Sequence, residues 1–281
     1  MAAEPKTCYR HPGRETYVSC SNCLRPICTD CMVQTAVGIK CPECAGVPTG
    51  MKKVKTRAQR AVSVGEGMLV TKTLIGINAA MFVLELAQGG LSSQFVGDYA
   101  LVGRDVANGE WWRVVTAAFL HANLVHLGLN MLMLWWFGGP LEALIGRARF
   151  LTIYGISLLA GAAGALIDQP VGATIGASGA IFGVLGAGLV LERRGIPIYG
   201  GAALGVVVFN LIFGFLNRGS ISIGGHIGGF IGGALAMLVL MHFRRDHPGY
   251  SKIDAVTVLG LVAIAVGSLL VVYFRVRGYA T

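Results

Sequence analysis

Seven apolar stretches govern what this chain can fold into. They run from about 69 to 89, 122 to 141, 149 to 167, 175 to 191, 198 to 216, 223 to 243 and 254 to 274. Each is long enough to cross roughly 30 Å of hydrocarbon as a helix. A single water-soluble core is excluded on the same ground: 54% of the residues are apolar and 13% charged, where a soluble domain of this size carries about a quarter charged residues. Gly 41 is about twice ordinary usage. Without a collagen period, that excess fits closely packed membrane helices, in which glycine lets backbones approach. The expected class is therefore all-α and polytopic, with seven transmembrane helices.

The formal charge of +9 would suit a nucleic-acid surface, an anionic membrane surface or topology signals, and its distribution decides. Residues 1–47 are polar and carry no secretory pattern, so the N-terminus is expected in the cytosol. The cytosolic side then receives the basic linker 48–67, Arg147, Arg149, Arg193, Arg194, Arg244, Arg245 and Lys252. The outer loops receive chiefly Arg104, Arg113 and Arg218. That asymmetry follows the positive-inside rule. Seven crossings leave the C-terminus outside, with Arg275 and Arg277 as mild counter-evidence for the last helix alone. The expected location is the plasma membrane.

All seven cysteines fall between Cys8 and Cys44, in a module of residues 1–47. They form Cys8 with His11, Cys20 with Cys23, Cys28 with Cys31 and Cys41 with Cys44, each pair separated by two residues. Eight such ligands make two tetrahedral Zn²⁺ sites with none left over, and a disulfide framework would be unexpected in the cytosol. Pairs taken alternately would give a cross-braced module resembling a B-box or RING-like zinc finger, although the spacing also permits sequential sites. Four-ligand sites leave no open position for water, so their expected role is to fold a segment too small to hold a core. A cytosolic protein partner remains an option for its surface. Nucleic acid is not expected, because the module lacks an aromatic stacking platform.

Polar groups inside a bilayer are costly and mark functional candidates. Helix two carries His126 and Asn130 on one face, helix four opens with Gly176, Ala177, Ser178 and Gly179, and helix six carries His226 near its start. These three helices run in the same direction in the expected topology, so the early residues of each lie at similar depth in the outer half of the membrane. A serine, a histidine able to act as its base, and a second histidine with an asparagine able to donate hydrogen bonds meet in one layer. The four-residue spacing of Gly225, Gly229 and Gly233 on helix six, and of Gly172 with Gly176 and Gly179 with Gly183 on helix four, allows close approach. Lys72, Glu85, Glu142, Asp168 and Glu192 mostly sit near helix ends, where they can snorkel or pair. No acidic third member stands out, so the residues suggest a Ser-His dyad, with Asp168 a remote alternative.

These residues fall into four ordered motifs. Glu110 to Arg113 fits E-x-W-R, His121, His126 and Asn130 fit H-x4-H-x3-N, Gly176 to Gly179 fits G-x-S-G, and His226, Gly229 and Gly233 fit H-x2-G-x3-G. Over roughly residues 68–245 the chain thereby resembles the rhomboid family of intramembrane serine proteases. The resemblance implies a six-helix protease core at 68–245, with residues 246–281 forming a seventh helix and tail. It implies that Ser178 is the nucleophile, that His226 is the general base, and that His126, Asn130 and the Ser178 backbone N–H form the oxyanion hole. Catalysis would need no cofactor. The substrates would be single-pass membrane proteins cut in or near their transmembrane segment. Phe182 stands where many relatives place Tyr; it can still pack on the base's ring. Trp111 and Arg113 read as loop anchors.

Three rival readings are weaker. A catalytically silent rhomboid-like protein that binds membrane clients is opposed by the intact Ser178 and His226. A proton-relay transporter would need carboxylates in the bundle interior and a repeated half-structure. A metalloprotease is opposed by the lack of H-E-x-x-H.

Overall fold

A computed structural model of the chain describes residues 5–35, 38–45, 68–216, 221–242 and 254–280. The chain divides into two compact units, Met1–Lys55 and Thr56–Thr281. The basic linker 48–67, Arg218, Arg244, Arg245 and Lys252 lie outside the described residues.

The first unit is built from two short antiparallel hairpins, β1 (Lys6–Cys8) with β2 (His11–Thr16) and β3 (Val33–Thr35) with β4 (Gly38–Lys40). Its buried cluster consists of Cys8, Cys20, Cys28, Cys31, Cys41 and one aliphatic residue, Ile27. One buried isoleucine, with Tyr9, Val18, Met32 and Ile39 only partly buried against the cluster, is too small an apolar core to order a segment of this length. The cysteines must therefore hold the unit through something stronger than packing.

The second unit is a helical bundle. Its apolar helices are α1 (Leu69–Ala87), α2 (Leu124–Ile145), α3 (Arg147–Asp168), α4 (Ser178–Arg193), α5 (Ala203–Leu216), α6 (Ile223–His242) and α7 (Ala255–Val276). All seven hydrophobic stretches are helical, and among the described residues α1, α2, α3, α6 and α7 are long and apolar enough to cross a membrane. Two of these helices start later than the apolar stretches that predict them. Gly176 takes a left-handed φ of +121°, which holds the chain out of helix until Ser178 instead of letting it start at 175. Pro197 and the turns at 198–201 delay α5 to Ala203. Within α2, residues Leu134–Gly138 form a π-helical turn.

Helix α4 is the buried axis of this bundle, with every residue from Ala180 to Gly188 buried. Against it and α3 packs α6, so closely that side chains are excluded. A Cβ on Gly229 would lie 1.9 Å from the Gly179 carbonyl oxygen, and one on Gly233 would lie 2.0 Å from that of Gly183. The neighbouring face of α6 meets α3 in the same way, with Gly228 against Ala160 and Gly224 against Gly164. The first stripe is legible in the sequence; the second, Gly224, Gly228 and Gly232, is hidden by sharing its spacing. Of the helix-four glycines it named, Gly172 and Gly176 precede the helix.

Buried charges are paired with backbone. Glu142, expected to snorkel or pair, accepts the Val70 and Thr71 N–H groups at 2.9 and 2.8 Å and caps the N-terminus of α1. In the segment between α1 and α2, Arg113 is 4% exposed. It bonds Glu110 (2.5 Å), Asp105 (3.4 Å) and the carbonyls of Gly97 (2.5 Å) and Ala100 (2.9 Å). The expected anchor is a buried staple rather than an interfacial one.

Candidate active site

The chain reaches Ser178 through an extended segment stitched to the α1–α2 connection. Leu101 and Thr174 exchange backbone hydrogen bonds at 3.0 and 2.9 Å, and the Gly176 N–H donates to the Ala117 carbonyl at 2.8 Å. Ser178 is therefore the first residue of α4, at the end where free N–H groups and the helix dipole favour negative charge.

Across the glycine contact, His226 on the first turn of α6 places Nε2 2.9 Å from Ser178 Oγ. To accept a proton there, the imidazole must carry its own hydrogen on Nδ1. That nitrogen is buried and has no partner among the described residues. Among the described residues no carboxylate completes a triad: Asp168, the remote alternative, accepts the Gly224 N–H at 3.1 Å and caps α6. Phe182 stacks on the His226 ring, with centroids 4.0 Å apart and planes 10° from parallel. The ring thus fixes the orientation of the His226 imidazole by packing.

His126 also faces this site. The Ala122 N–H donates to its Nδ1 at 3.4 Å, which leaves Nε2 as the protonated nitrogen and a donor. That Nε2 would lie 2.9 Å from a Cβ on Gly176, so the imidazole rests directly on the backbone before Ser178. Asn130 is buried one helical turn away, and one hydrogen of its amide is spent on the His126 carbonyl at 2.9 Å. The other hydrogen remains for a ligand.

In the N-terminal unit the eight named ligands form two clusters, Cys8, His11, Cys28 and Cys31, and Cys20, Cys23, Cys41 and Cys44. The pairs alternate, so of the two arrangements the spacing permits, the cross-braced one is adopted. Sulfurs approach to 3.9 Å for Cys8 with Cys31 and 3.7 Å for Cys23 with Cys41. A tetrahedral ion with bonds of ~2.3 Å needs sulfurs ~3.8 Å apart, and a disulfide needs ~2.05 Å. All seven cysteines are free. Burial opposes ionisation of Cys8, but the N–H groups of Cys28 and Arg10 and the His11 side chain outweigh it and hold the thiol down to about 6. Cys20 is likewise held at about 6, its burial outweighed by backbone bonds from Cys41, Cys23 and Asn22. Burial and then its neighbours Cys8 and Cys28 push Cys31 up to about 12. Thiolates crowded until they oppose one another's ionisation suit a divalent cation, and each cluster could hold one metal ion.

A family model described as the Rhomboid domain matches residues 108–243. Rhomboid protease GluP of Bacillus subtilis (strain 168) is 36% identical over 193 residues, covering 67% of this chain and 37% of GluP. YdcA of the same bacterium, provisionally named a rhomboid protease, is 37% identical over 135 residues, 46% of this chain and 67% of YdcA. The mitochondrial Rhomboid protein 1 of Saccharomyces cerevisiae is 34% identical over 177 residues, 58% of this chain and 50% of that protein. The chain thus spans little more than a third of GluP and half of the yeast protein. Residues 108–243 include the serine, both histidine motifs and the glycine contact between α4 and α6, and the chain belongs to the rhomboid family.

Proposed function

We propose that this integral membrane protein is an intramembrane serine endopeptidase that cleaves single-pass membrane proteins in or near their transmembrane segment. The observation that carries the reading is the 2.9 Å contact between Ser178 Oγ and His226 Nε2. His226 takes the hydroxyl proton as Ser178 Oγ attacks the scissile carbonyl carbon. The resulting oxyanion is received by His126 Nε2–H, Asn130 and the Ser178 backbone N–H, donors that can contribute on the order of 3 kcal/mol each. His226 then protonates the leaving amine, and water attacks the acyl-enzyme with His226 again as base. A peptide bond within a helix is shielded, so residues that weaken the substrate helix near the cut favour reaction.

The basic loops support a topology with the N-terminus cytosolic and the C-terminus outside, in the plasma membrane. In that frame the site lies in the outer half of the bilayer, where hydrolytic water can reach it. The chain is organised as a zinc module (1–47), a basic linker (48–67), a protease core (68–245) and a seventh helix with its tail (246–281). The thiolate-rich donor sets favour Zn²⁺ in both clusters, with a purely structural role.

The test is reconstitution in vesicles with a single-pass substrate and mass analysis of the products. The reading expects two fragments from one cut within the outer half of the transmembrane segment, and none with Ser178→Ala. Equal cleavage by Ser178→Ala would overturn it.

A further inference from the structure

Between the outer ends of α1 and α2, in the proposed topology, lies an open cavity of about 310 Å³, lined in part by Phe82, Glu85, Leu86, Leu91, His121 and Leu124. Two of these were not read as a site from sequence. Glu85, grouped there with residues at helix ends, is only 1% exposed, as is His121. The Glu85 carboxylate accepts the His121 backbone N–H at 3.1 and 3.2 Å, which leaves most of its lone pairs unused. Both ring nitrogens of His121 lack a partner among the described residues. A buried carboxylate and an orphaned imidazole are each costly unless a ligand or water meets them. The rim is apolar and exposed at Leu86, Leu91 and Leu124, which suits an alkyl stem and excludes a small hydrated anion.

The cavity shares a wall with the active site. The His121 ring stands edge-on to that of His126, with centroids 5.1 Å apart, and His126 rests on Gly176. A group seated on Glu85 and His121 therefore sits one side chain behind the donors around Ser178.

We propose that this cavity is a recognition subsite for a cationic substrate side chain, lysine or arginine. The ammonium or guanidinium group pairs with Glu85 and hydrogen-bonds His121, while the methylene stem lies along Phe82, Leu86 and Leu124. Pairing supplies the counter-charge that the buried carboxylate lacks, and Glu85 becomes a specificity-determining residue. The inference rests on the protease reading but can fail separately from it.

The experiment uses the full chain in phosphatidylcholine vesicles. Single-pass substrates carry Lys, Arg, Met or Glu in turn at each of the residues preceding the cleaved bond. At one position, Lys and Arg are expected to raise kcat/KM about tenfold over Met, and Glu to lower it. Glu85→Gln should erase this preference, lowering the Lys and Arg rates to that of the Met substrate, and its labelling by a serine-directed phosphonate shows that the Ser178 site is still assembled. Should Glu85→Gln fail to fold, Leu91→Lys on the exposed rim supplies a competing ammonium and should compress the same preference. A preference that survives either folded variant overturns the proposal, as does the absence of any position favouring a cation. A Glu85-dependent rate that follows added phosphatidylethanolamine whatever the substrate residue also overturns it, and assigns the cavity to a lipid amine. Loss of phosphonate labelling from the parent would instead sink the protease reading.

Discussion

Replacing Gly229 by alanine tests whether helix contact sets the geometry of the dyad. The added methyl would lie 1.9 Å from the Gly179 carbonyl oxygen and 2.6 Å from its carbon, where ordinary contact begins at 3.4 Å. These atoms are backbone and cannot swing aside, so α4 and α6 must part locally by about 1.5 Å. Gly229 lies one turn from His226, and Gly179 adjoins Ser178. Most of the displacement therefore falls on the 2.9 Å bond between Oγ and Nε2, taking it beyond hydrogen-bonding distance. A misplacement of about 1 Å can cost a hundredfold in rate, and overpacking costs about 1–3 kcal/mol in stability. Gly229→Ala should accordingly lower kcat/KM about a hundredfold, chiefly through kcat, with a modest fall in melting temperature. Gly233→Ala is equally overpacked, at 2.0 Å from the Gly183 oxygen, but a turn farther from the dyad, and should lose stability more than rate. Gly155→Ala on α3 meets nothing within 4 Å and serves as the control. The assays are cleavage of a reconstituted substrate and thermal unfolding in detergent. A folded Gly229→Ala protein with kcat/KM within twofold of the parent would refute the reasoning.

Further outcomes follow from the same contacts. Phe182→Ala removes the ring stacked on His226 and should lower kcat about tenfold with KM nearly unchanged, while Phe182→Tyr keeps the stack and the rate; equal activity of all three proteins would show that packing does not orient the base. Asp168→Ala leaves the Gly224 N–H uncapped at the start of α6 and should cost ~1 kcal/mol, read as a lower melting temperature, with Asp168→Asn recovering part of it. Elemental analysis should find two zinc ions per chain and one in Cys8→Ser, whereas one in the parent would contradict the two clusters. Zinc uptake by the metal-stripped protein should weaken as pH falls from 7 to 5, because protons compete for the Cys8 and Cys20 thiolates held at about 6; uptake independent of pH would count against thiolate ligands.

How much of this was legible in the residues differs from element to element. Hydropathy placed the seven helices, because apolar length registers burial in lipid whatever the tertiary contacts. It could not place the start of α4 or α5, which depends on the backbone of Gly176 and on the turn after Pro197 rather than on polarity. The serine and the two histidines stood out because polar groups are rare in such helices. The stripe on α6 facing α3 did not, since Gly224, Gly228 and Gly232 share the four-residue spacing of the stripe already noticed. The cysteine spacing fixed the ligands but left their pairing open, which is settled by which hairpins lie together. Glu85 was the clearest miss. Its place near a helix end suggested a route to water, and only the fold shows it buried behind His121.

The central claim is that Ser178 is a nucleophile activated by His226. Labelling of the purified protein with a serine-directed phosphonate tests it most directly, beside Ser178→Ala and His226→Ala. The account predicts one label per chain at Ser178, none in Ser178→Ala, and a rate reduced at least about a hundredfold in His226→Ala. Equal labelling of Ser178→Ala and the parent would contradict it.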